Sequence, residues 1–331
     1  MALAQLLQKL EQYQPTTIGI DIYRDFHVDP NYPDLMTRLK QDNRIFAVCK
    51  VPDVFDGAPH AIYPPDEVPK ERQTFSDFVA DNDEVLRRQL LQLTPFPNPC
   101  TAEYALGLQL ARHYLLSKRG IKAQITPEGY LQIGKVAFKQ LKERASGYQK
   151  VDASGYQILL DYRSLGNQEK IAHSVSLRDV LNNQINPELL KNRIILVGVT
   201  APSTADYWKT PTNENKIPGV FVQAQMVSHI LSAVEDGRPL LWWWSGWIET
   251  FWIWGWSWVG GIIAWRCTKP LYLGISVAAA LLTLFGICFG IFTHSGWIPL
   301  VPSALTLMLS AVAVVWRLRR TNSNLETYRS N

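Results

Sequence analysis

The chain has 331 residues, a length typical of one large domain or two, and its mean hydropathy of −0.07 resembles that of a soluble globular protein. That average hides two unlike parts. Residues 1–239 carry 27 Lys and Arg against 27 Asp and Glu, whereas residues 240–331 carry 6 against 2. The neutral larger part excludes a uniformly basic nucleic-acid-binding protein, and the abundant apolar residues exclude a disordered chain.

Residues 1–239 are predicted to form one α/β domain, because short apolar runs alternate with patterns of helical spacing. The predicted strands lie at residues 16–20, 44–51, 75–79, 130–133, 156–161 and 193–199, with a further strand that begins at Val85. The predicted helices lie at 6–13, 33–39, 101–117, 176–182 and 220–234. The run RIILVGV at 193–199 is typical of a strand that is buried on both faces. We therefore expect a mixed or mostly parallel sheet flanked by helices.

Three segments of the last quarter are long and apolar enough to be transmembrane helices. They are residues 240–265, 271–292 and 297–316. Only the first contains a charge, Glu249. An ionisable side chain at membrane depth indicates either a functional group or a carboxylate that reaches up to the headgroups. Both readings of Glu249 stay open.

The distribution of basic residues predicts the orientation of these segments. Arg266 and Lys269 lie between the first two segments, residues 293–296 contain no Lys or Arg, and Arg317, Arg319 and Arg320 come directly after the third segment. The positive-inside rule then places both basic stretches in the cytoplasm. Residues 1–239 are accordingly expected outside the cytoplasm, with residues 317–331 as a short cytoplasmic tail of a multi-pass protein of the plasma membrane.

Candidate binding residues follow two predicted strands. Asp21 and Asp25 come after the run TTIGI, and Thr200, Ser203 and Asp206 come after RIILVGV. Ligands of open parallel sheets bind beyond the carboxyl ends of the strands, so these side chains are candidate ligand contacts. The alternative is that they cap helices or turns. The sequence has no phosphate-binding loop, zinc-protease motif, nucleophile elbow or C-x-x-C, so no catalytic residue, cofactor or metal is predicted.

Cys49 and Cys100 are the two cysteines outside the apolar segments. In an oxidising compartment such a pair can form a disulfide. The alternative is two unpaired small apolar side chains.

Four stretches in order resemble a CHASE domain of the second type, an extracellular sensory domain of bacterial and especially cyanobacterial signalling proteins. They are TTIGIDIYRD around residues 17–25, VPKERQTFSDFVADNDEVLRRQLL at 68–91, RIILVGVTAPSTADYWKTP at 193–211 and IPGVFVQAQMVSHIL at 217–231. Three membrane spans directly after the domain are also an arrangement of this family. The resemblance implies an upstream strand and anchor and a downstream output domain, which we expect to be absent here, and Gln223 stands where members often have His.

The resemblance and the topology predict a membrane-bound sensor that is not an enzyme. Its outer domain would bind an unknown ligand, and its spans would relay the signal to a separate kinase or cyclase chain or within a homo-oligomer. The alternatives are a membrane-anchored metal-dependent hydrolase using Asp21, Asp25 and Asp206, a fragment of a split sensor gene, and a scaffold that binds through Trp252 and Trp256.

Overall fold

The computed structural model describes residues 2–52, 61–94, 99–163, 168–204 and 206–329. The chain divides into two compact units. The first unit comprises residues 1–141 and 153–238, and the second comprises residues 142–152 and 239–331.

The helices of the first unit are α1 (Ala2–Gln12), α2 (Pro33–Gln41), α3 (Leu106–Arg119), α4 (Leu177–Leu181) and α5 (Gly219–Glu235), with 3-10 turns at Lys70–Arg72, Gln168–Ile171 and Pro187–Leu189. Its strands are β1 (Thr17–Asp21), β2 (Ile45–Cys49), β3 (Gln73–Phe75), β4 (Arg88–Gln92), β5 (Ala123–Ile125), β6 (Leu131–Ile133), β7 (Val136–Phe138), β8 (Tyr156–Leu159), β9 (Ile194–Gly198), β10 (Tyr207–Thr210) and β11 (Asn213–Pro218).

A four-stranded parallel sheet of order β3-β2-β1-β9 forms the centre of the first unit. Alternating residues of each strand pack into two hydrophobic layers, one on each face of the sheet, because successive side chains point to opposite faces. Ile18 and Ile45 pack with α1 and α2, whereas Phe46 packs with α3 and α5. The first unit is thus an α/β fold with helices on both faces of a parallel sheet, as the sequence predicts.

The first unit differs from the prediction in several details, among them the burial of β9 and the start of α3. The strand β9 is half-buried along its length, because it is an edge strand that pairs only with β1 among the described residues. The helix α3 begins at Leu106 rather than at residue 101, since residues 101–105 are extended there. The Ala105 N–H, for example, donates to the Leu91 carbonyl at 3.0 Å.

Small antiparallel sheets surround the central sheet. The strands β4 and β8 form one pair, β5, β6 and β7 form a meander, and β10 and β11 form a hairpin. The hairpin follows β9 and leads directly into α5, so it arranges residues at the carboxyl end of β9.

The second unit contains three long helices, α6 (Gly246–Arg266), α7 (Pro270–Phe292) and α8 (Leu300–Arg329). The helices α6 and α8 pack closely through small residues. A side chain at Gly260 would meet the Leu307 carbonyl oxygen. Ser310 Oγ donates across the interface to the Ser257 carbonyl at 2.7 Å. Small residues and interhelical hydrogen bonds of this kind are typical of helices that associate within a membrane.

Two helices are long and apolar enough to cross a membrane, Pro270–Phe292 and Leu300–Thr321, and few of their residues are buried. The helix α6 does not reach the same hydropathy. Six of its 21 residues are tryptophan, whose amphipathic ring favours the membrane interface over the hydrocarbon. The expected third span is therefore not established by composition.

Residues 142–152 belong to the second unit although β7 and β8, which flank them, belong to the first. Ser146 Oγ donates to the Trp297 carbonyl at 2.8 Å, and the rings of Tyr148 and Trp297 meet edge to face. The backbone of Trp297 also donates to the Trp242 carbonyl at 2.8 Å. One tryptophan thus joins three separate stretches of the second unit.

Candidate functional site

The carboxyl ends of the parallel strands place several polar side chains at one edge of the sheet. Asp21 is the last residue of β1, Lys50 follows β2, and Ser76 and Asp77 follow β3. Ser76 Oγ lies 3.0 Å from the Tyr23 hydroxyl oxygen. Parallel pairing fixes this arrangement, because all four strands end on the same side. We call this group, together with Asp206 and Trp208, the carboxyl-edge site.

Asp206 reaches the site from the start of the β10–β11 hairpin. Trp208 Nε1 donates to Asp206 Oδ1 at 2.7 Å, and the Gly219 N–H donates to the Asp206 carbonyl at 3.0 Å. A Cβ atom at Gly219 would lie 2.6 Å from the Asp206 Cγ atom. Glycine is therefore required where α5 begins, because a larger residue would displace the carboxylate.

The three carboxylates have different electrostatic surroundings. Burial, then repulsion from Asp206, raises the pKa of Asp21 to about 7, against a smaller opposing effect of the hydrogen bond from Ser76. Asp77 is instead paired, with its Oδ1 atom 3.6 Å from Lys50 Nζ and its Oδ2 atom accepting from the Val51 N–H at 3.2 Å. Burial also raises the pKa of Tyr23. The site can therefore take up one proton at Asp21 near neutral pH while Asp77 stays in its ion pair.

The structure brings two of the five predicted ligand residues together, Asp21 and Asp206. Asp25 is exposed. The preceding residue, Arg24, is buried and pairs with Glu67, with Nη1 and Oε2 3.4 Å apart. Thr200 and Ser203 are exposed in the turn after β9, where the Thr200 carbonyl accepts from the Tyr207 hydroxyl at 2.7 Å.

The predicted alternative of a metal site at Asp21, Asp25 and Asp206 is wrong. Within the described residues, no three His, Cys, Asp or Glu side chains are grouped so that they could hold a metal ion. Asp25 is exposed in the stretch after β1, and it is not grouped with Asp21 and Asp206.

Sequence reasoning missed Tyr23, Lys50, Ser76 and Asp77. The same strand-end rule could have found them, but the predicted strand at residues 75–79 placed Ser76 and Asp77 inside a strand. The structure ends β3 at Phe75, so both residues fall at the carboxyl end. Gln223 of α5 contacts the same edge of the sheet, with its Nε2 donating to the Ser76 carbonyl at 3.3 Å.

The remaining candidates lie away from this edge. Cys49 and Cys100 form a disulfide, with Cα atoms 5.5 Å apart, which joins the end of β2 to the stretch before α3. Glu249 lies in the first turn of α6 and is only 8% exposed. Its predicted functional role at membrane depth stays a prediction.

Comparison with known families matches the CHASE2 domain over residues 1–262. The chain belongs to the CHASE2 domain family. The match covers the first unit and extends into α6, so the CHASE2 domain contains the complete carboxyl-edge site. No similarity was found to curated proteins or to solved structures. A CHASE2 domain is a sensory domain, which makes this chain receptor-like.

Proposed function

We propose that this protein is a multi-pass membrane sensor whose CHASE2 domain, residues 1–239, lies outside the cytoplasm. It binds a still unidentified ligand at the carboxyl-edge site and relays the change through three transmembrane helices to a separate cytoplasmic kinase or cyclase chain, or within a homo-oligomer. The family match over residues 1–262 is the observation that carries the proposal.

The chemistry of the carboxyl-edge site supports ligand binding there. Asp21 and Asp206 repel each other at the end of a parallel sheet, where ligands of such sheets bind. A ligand that brings a proton or a positive charge would relieve this repulsion. Its binding would shift Asp206, which contacts the first residue of α5. The helix α5 ends at Glu235, close in sequence to α6.

Three features support a third span at α6 and an outside location for the CHASE2 domain. The helix is 21 residues long, about the length that a bilayer needs, and it hydrogen-bonds to the candidate span α8. Arg266 ends α6, Lys269 directly precedes α7, and three arginines lie at the end of the second candidate span, whereas no Lys or Arg lies between α7 and α8. The disulfide suits an oxidising compartment.

The topology is tested by protease digestion of bacterial spheroplasts that express the full chain. We expect the protease to cut the CHASE2 domain while a tag after residue 331 stays protected until detergent is added. Protection of the CHASE2 domain in intact spheroplasts would contradict the outside location.

The relay is tested by cross-linking between α6 and α8. Ser257→Cys and Ser310→Cys are combined with Cys267→Ser and Cys288→Ala, and the rate of disulfide formation is measured in membranes. Asp21→Asn, which imitates proton uptake at the site, should change that rate. Glu188→Gln, an exposed substitution elsewhere in the domain, is the matched control. Equal rates in all variants would contradict a relay from this site.

A further inference from the structure

A concave site lies at the opposite edge of the central sheet from the carboxyl-edge site. It is a groove of about 1270 Å³ at the amino ends of β2 and β3. One wall is the face of α3 that carries Arg112 and His113, and the other is formed by residues 69–73 and 101–104. None of the residues of the carboxyl-edge site lines it. We call it the basic groove.

Rigid contacts hold both sides of the second wall. The buried Arg72 donates to the carbonyl oxygens of Ile45 at 2.7 Å and Leu39 at 2.8 Å, which ties residues 70–72 to the sheet and to α2. The disulfide of Cys100 fixes the start of residues 101–104, and the Leu93 N–H donates to the Glu103 carbonyl at 2.9 Å. The groove is therefore formed before any ligand enters.

The groove carries a local surplus of positive charge in a domain that is neutral as a whole. Its lining includes five cationic side chains and two carboxylates, a formal charge of 5 − 2 = +3: Lys40, Lys70, Arg72, Arg112 and Lys122 against Glu71 and Glu103. Among the described residues, none of these five cations forms an ion pair, and the Arg72 guanidinium instead donates to backbone carbonyls. Cations that surround a concave surface attract anions and focus their field there.

Aromatic rings provide the apolar part of the same surface. The Arg112 guanidinium lies 5.0 Å from the Tyr104 ring centre, and its Nη1 donates to Gln109 Oε1 at 3.2 Å, so its charge is held in place. The rings of His113 and Phe46 meet edge to face with centres 5.4 Å apart. These rings give the groove an apolar surface beside the Arg112 charge.

We propose that the basic groove binds a small organic anion, a carboxylate or phosphate carried on an aromatic or apolar body. The anionic group pairs with Arg112 and the surrounding lysines, and the body contacts Tyr104 and Phe46. This site is independent of the carboxyl-edge site and opposite to it in charge. Its test measures binding alone, so its failure is distinct from failure of the sensor proposal.

The test is calorimetric titration of the full chain in detergent micelles with phenyl phosphate, benzoate and inorganic phosphate. We expect saturable binding of phenyl phosphate or benzoate, weakened by salt, and binding of inorganic phosphate that is at least about tenfold weaker because it has no apolar body. Arg112→Gln should weaken binding by about tenfold or more. Lys118→Gln is the matched control, since Lys118 lies on α3 outside the groove and hydrogen-bonds to Asn192.

Three outcomes would overturn the proposal. They are no saturable binding of either organic anion, equal affinity of Arg112→Gln and the native chain, and an equal loss in Lys118→Gln. A fourth outcome, inorganic phosphate binding as tightly as phenyl phosphate, would contradict the proposal that the ligand has an aromatic or apolar body. The exposed pair Lys70→Gln with Lys122→Gln gives the same decision if Arg112→Gln does not fold.

Discussion

Asp21 lowers the stability of the first unit when its carboxyl loses its proton, and it does so at the proposed ligand site. Its pKa of about 7 in the folded chain, against 3.8 for an exposed aspartate, means that the folded state holds a proton that the unfolded state releases. The stabilisation from this proton is complete below about pH 4 and is lost as the pH rises through 7. Burial of a carboxyl at a strand end therefore has an energetic cost that a ligand can relieve.

Asp21→Asn should remove this pH dependence. We expect the free energy of unfolding at pH 8 to rise by roughly 2–4 kcal/mol relative to the native chain, because the neutral amide avoids the cost of burying a charge and the repulsion from Asp206. The measurement is pulse proteolysis in urea across pH 4 to 8. Asp25→Asn, at an exposed position, is the matched control. An unchanged pH profile in Asp21→Asn would show that this carboxyl is charged in the folded chain.

His229 has the opposite pH dependence. It is buried in α5, with Nδ1 3.3 Å from Gln89 Oε1. Burial lowers its pKa to about 3, and the charge of Arg238 acts in the same direction. The unfolded chain binds the proton first, so stability should fall as the pH drops from about 6.5 toward 3.

His229→Gln should remove this contribution in the same urea experiment, so that stability falls as the pH rises from about 4 to 7 with loss of the Asp21 proton. His173→Gln, at an exposed position, should leave the native profile unchanged. The two groups act in opposite directions between about pH 4 and 6.5. The native chain is accordingly expected to show a shallower profile there than either Asp21→Asn or His229→Gln. A native profile as steep as both variants would refute this compensation.

At the scale of elements, the closest packing in the second unit is between α6 and α8. Gly260 lies against the Leu307 carbonyl and Ser310, whereas no atom lies within 4 Å of a Cβ atom placed at Gly255 of the same helix. Two glycines of one helix therefore differ in what surrounds them. Replacing either one changes the composition of α6 identically, so a difference between the two variants reports the contact with α8.

Gly260→Leu should separate α6 from α8 and lower the thermal unfolding midpoint of the full chain in micelles by several degrees. Gly255→Leu should be neutral or slightly stabilising, because leucine favours helix over glycine by somewhat less than about 1 kcal/mol. Equal effects of the two substitutions would mean that the helices do not pack at Gly260.

The parallel sheet and its flanking helices could be predicted because buried parallel strands read as apolar runs. The hairpin of β10 and β11 could not, because a strand such as NENKIP has no apolar alternation and forms by pairing with its neighbour. Of the carboxyl-edge site, Asp21 and Asp206 followed from the strand-end rule. Lys50 and Asp77 could not be placed at this site without knowing where β3 ends and in which order the strands pair, and both depend on contacts between residues that are distant in sequence.

At the scale of the whole molecule, the disulfide is the one covalent link between distant parts of the first unit in the described chain. It joins residues 51 positions apart, so it limits the freedom of the unfolded chain substantially.

Cys49→Ala with Cys100→Ala should lower the free energy of unfolding of the first unit by up to about 4 kcal/mol on the chain-entropy estimate for a loop of this length. The measurement is again pulse proteolysis in urea. Cys267→Ser, which alters a free cysteine, is the control and should have little effect. Loss of the same size on reducing the native chain would assign the effect to the bond rather than to the side chains. No loss in the double variant would mean that the link contributes nothing to stability.

Residues 142–152 have a practical consequence for anyone who isolates the sensory part. The backbone passes between the two units three times, after residues 141, 152 and 238. A fragment cut at residue 238 would keep Ser146 and Tyr148 but lose Trp297, the residue on which both rest. In this fragment residues 142–152 would lack their contacts with Trp297, and the side chains that pack there would favour aggregation. The isolated domain is therefore a poorer subject for ligand screening than the intact chain.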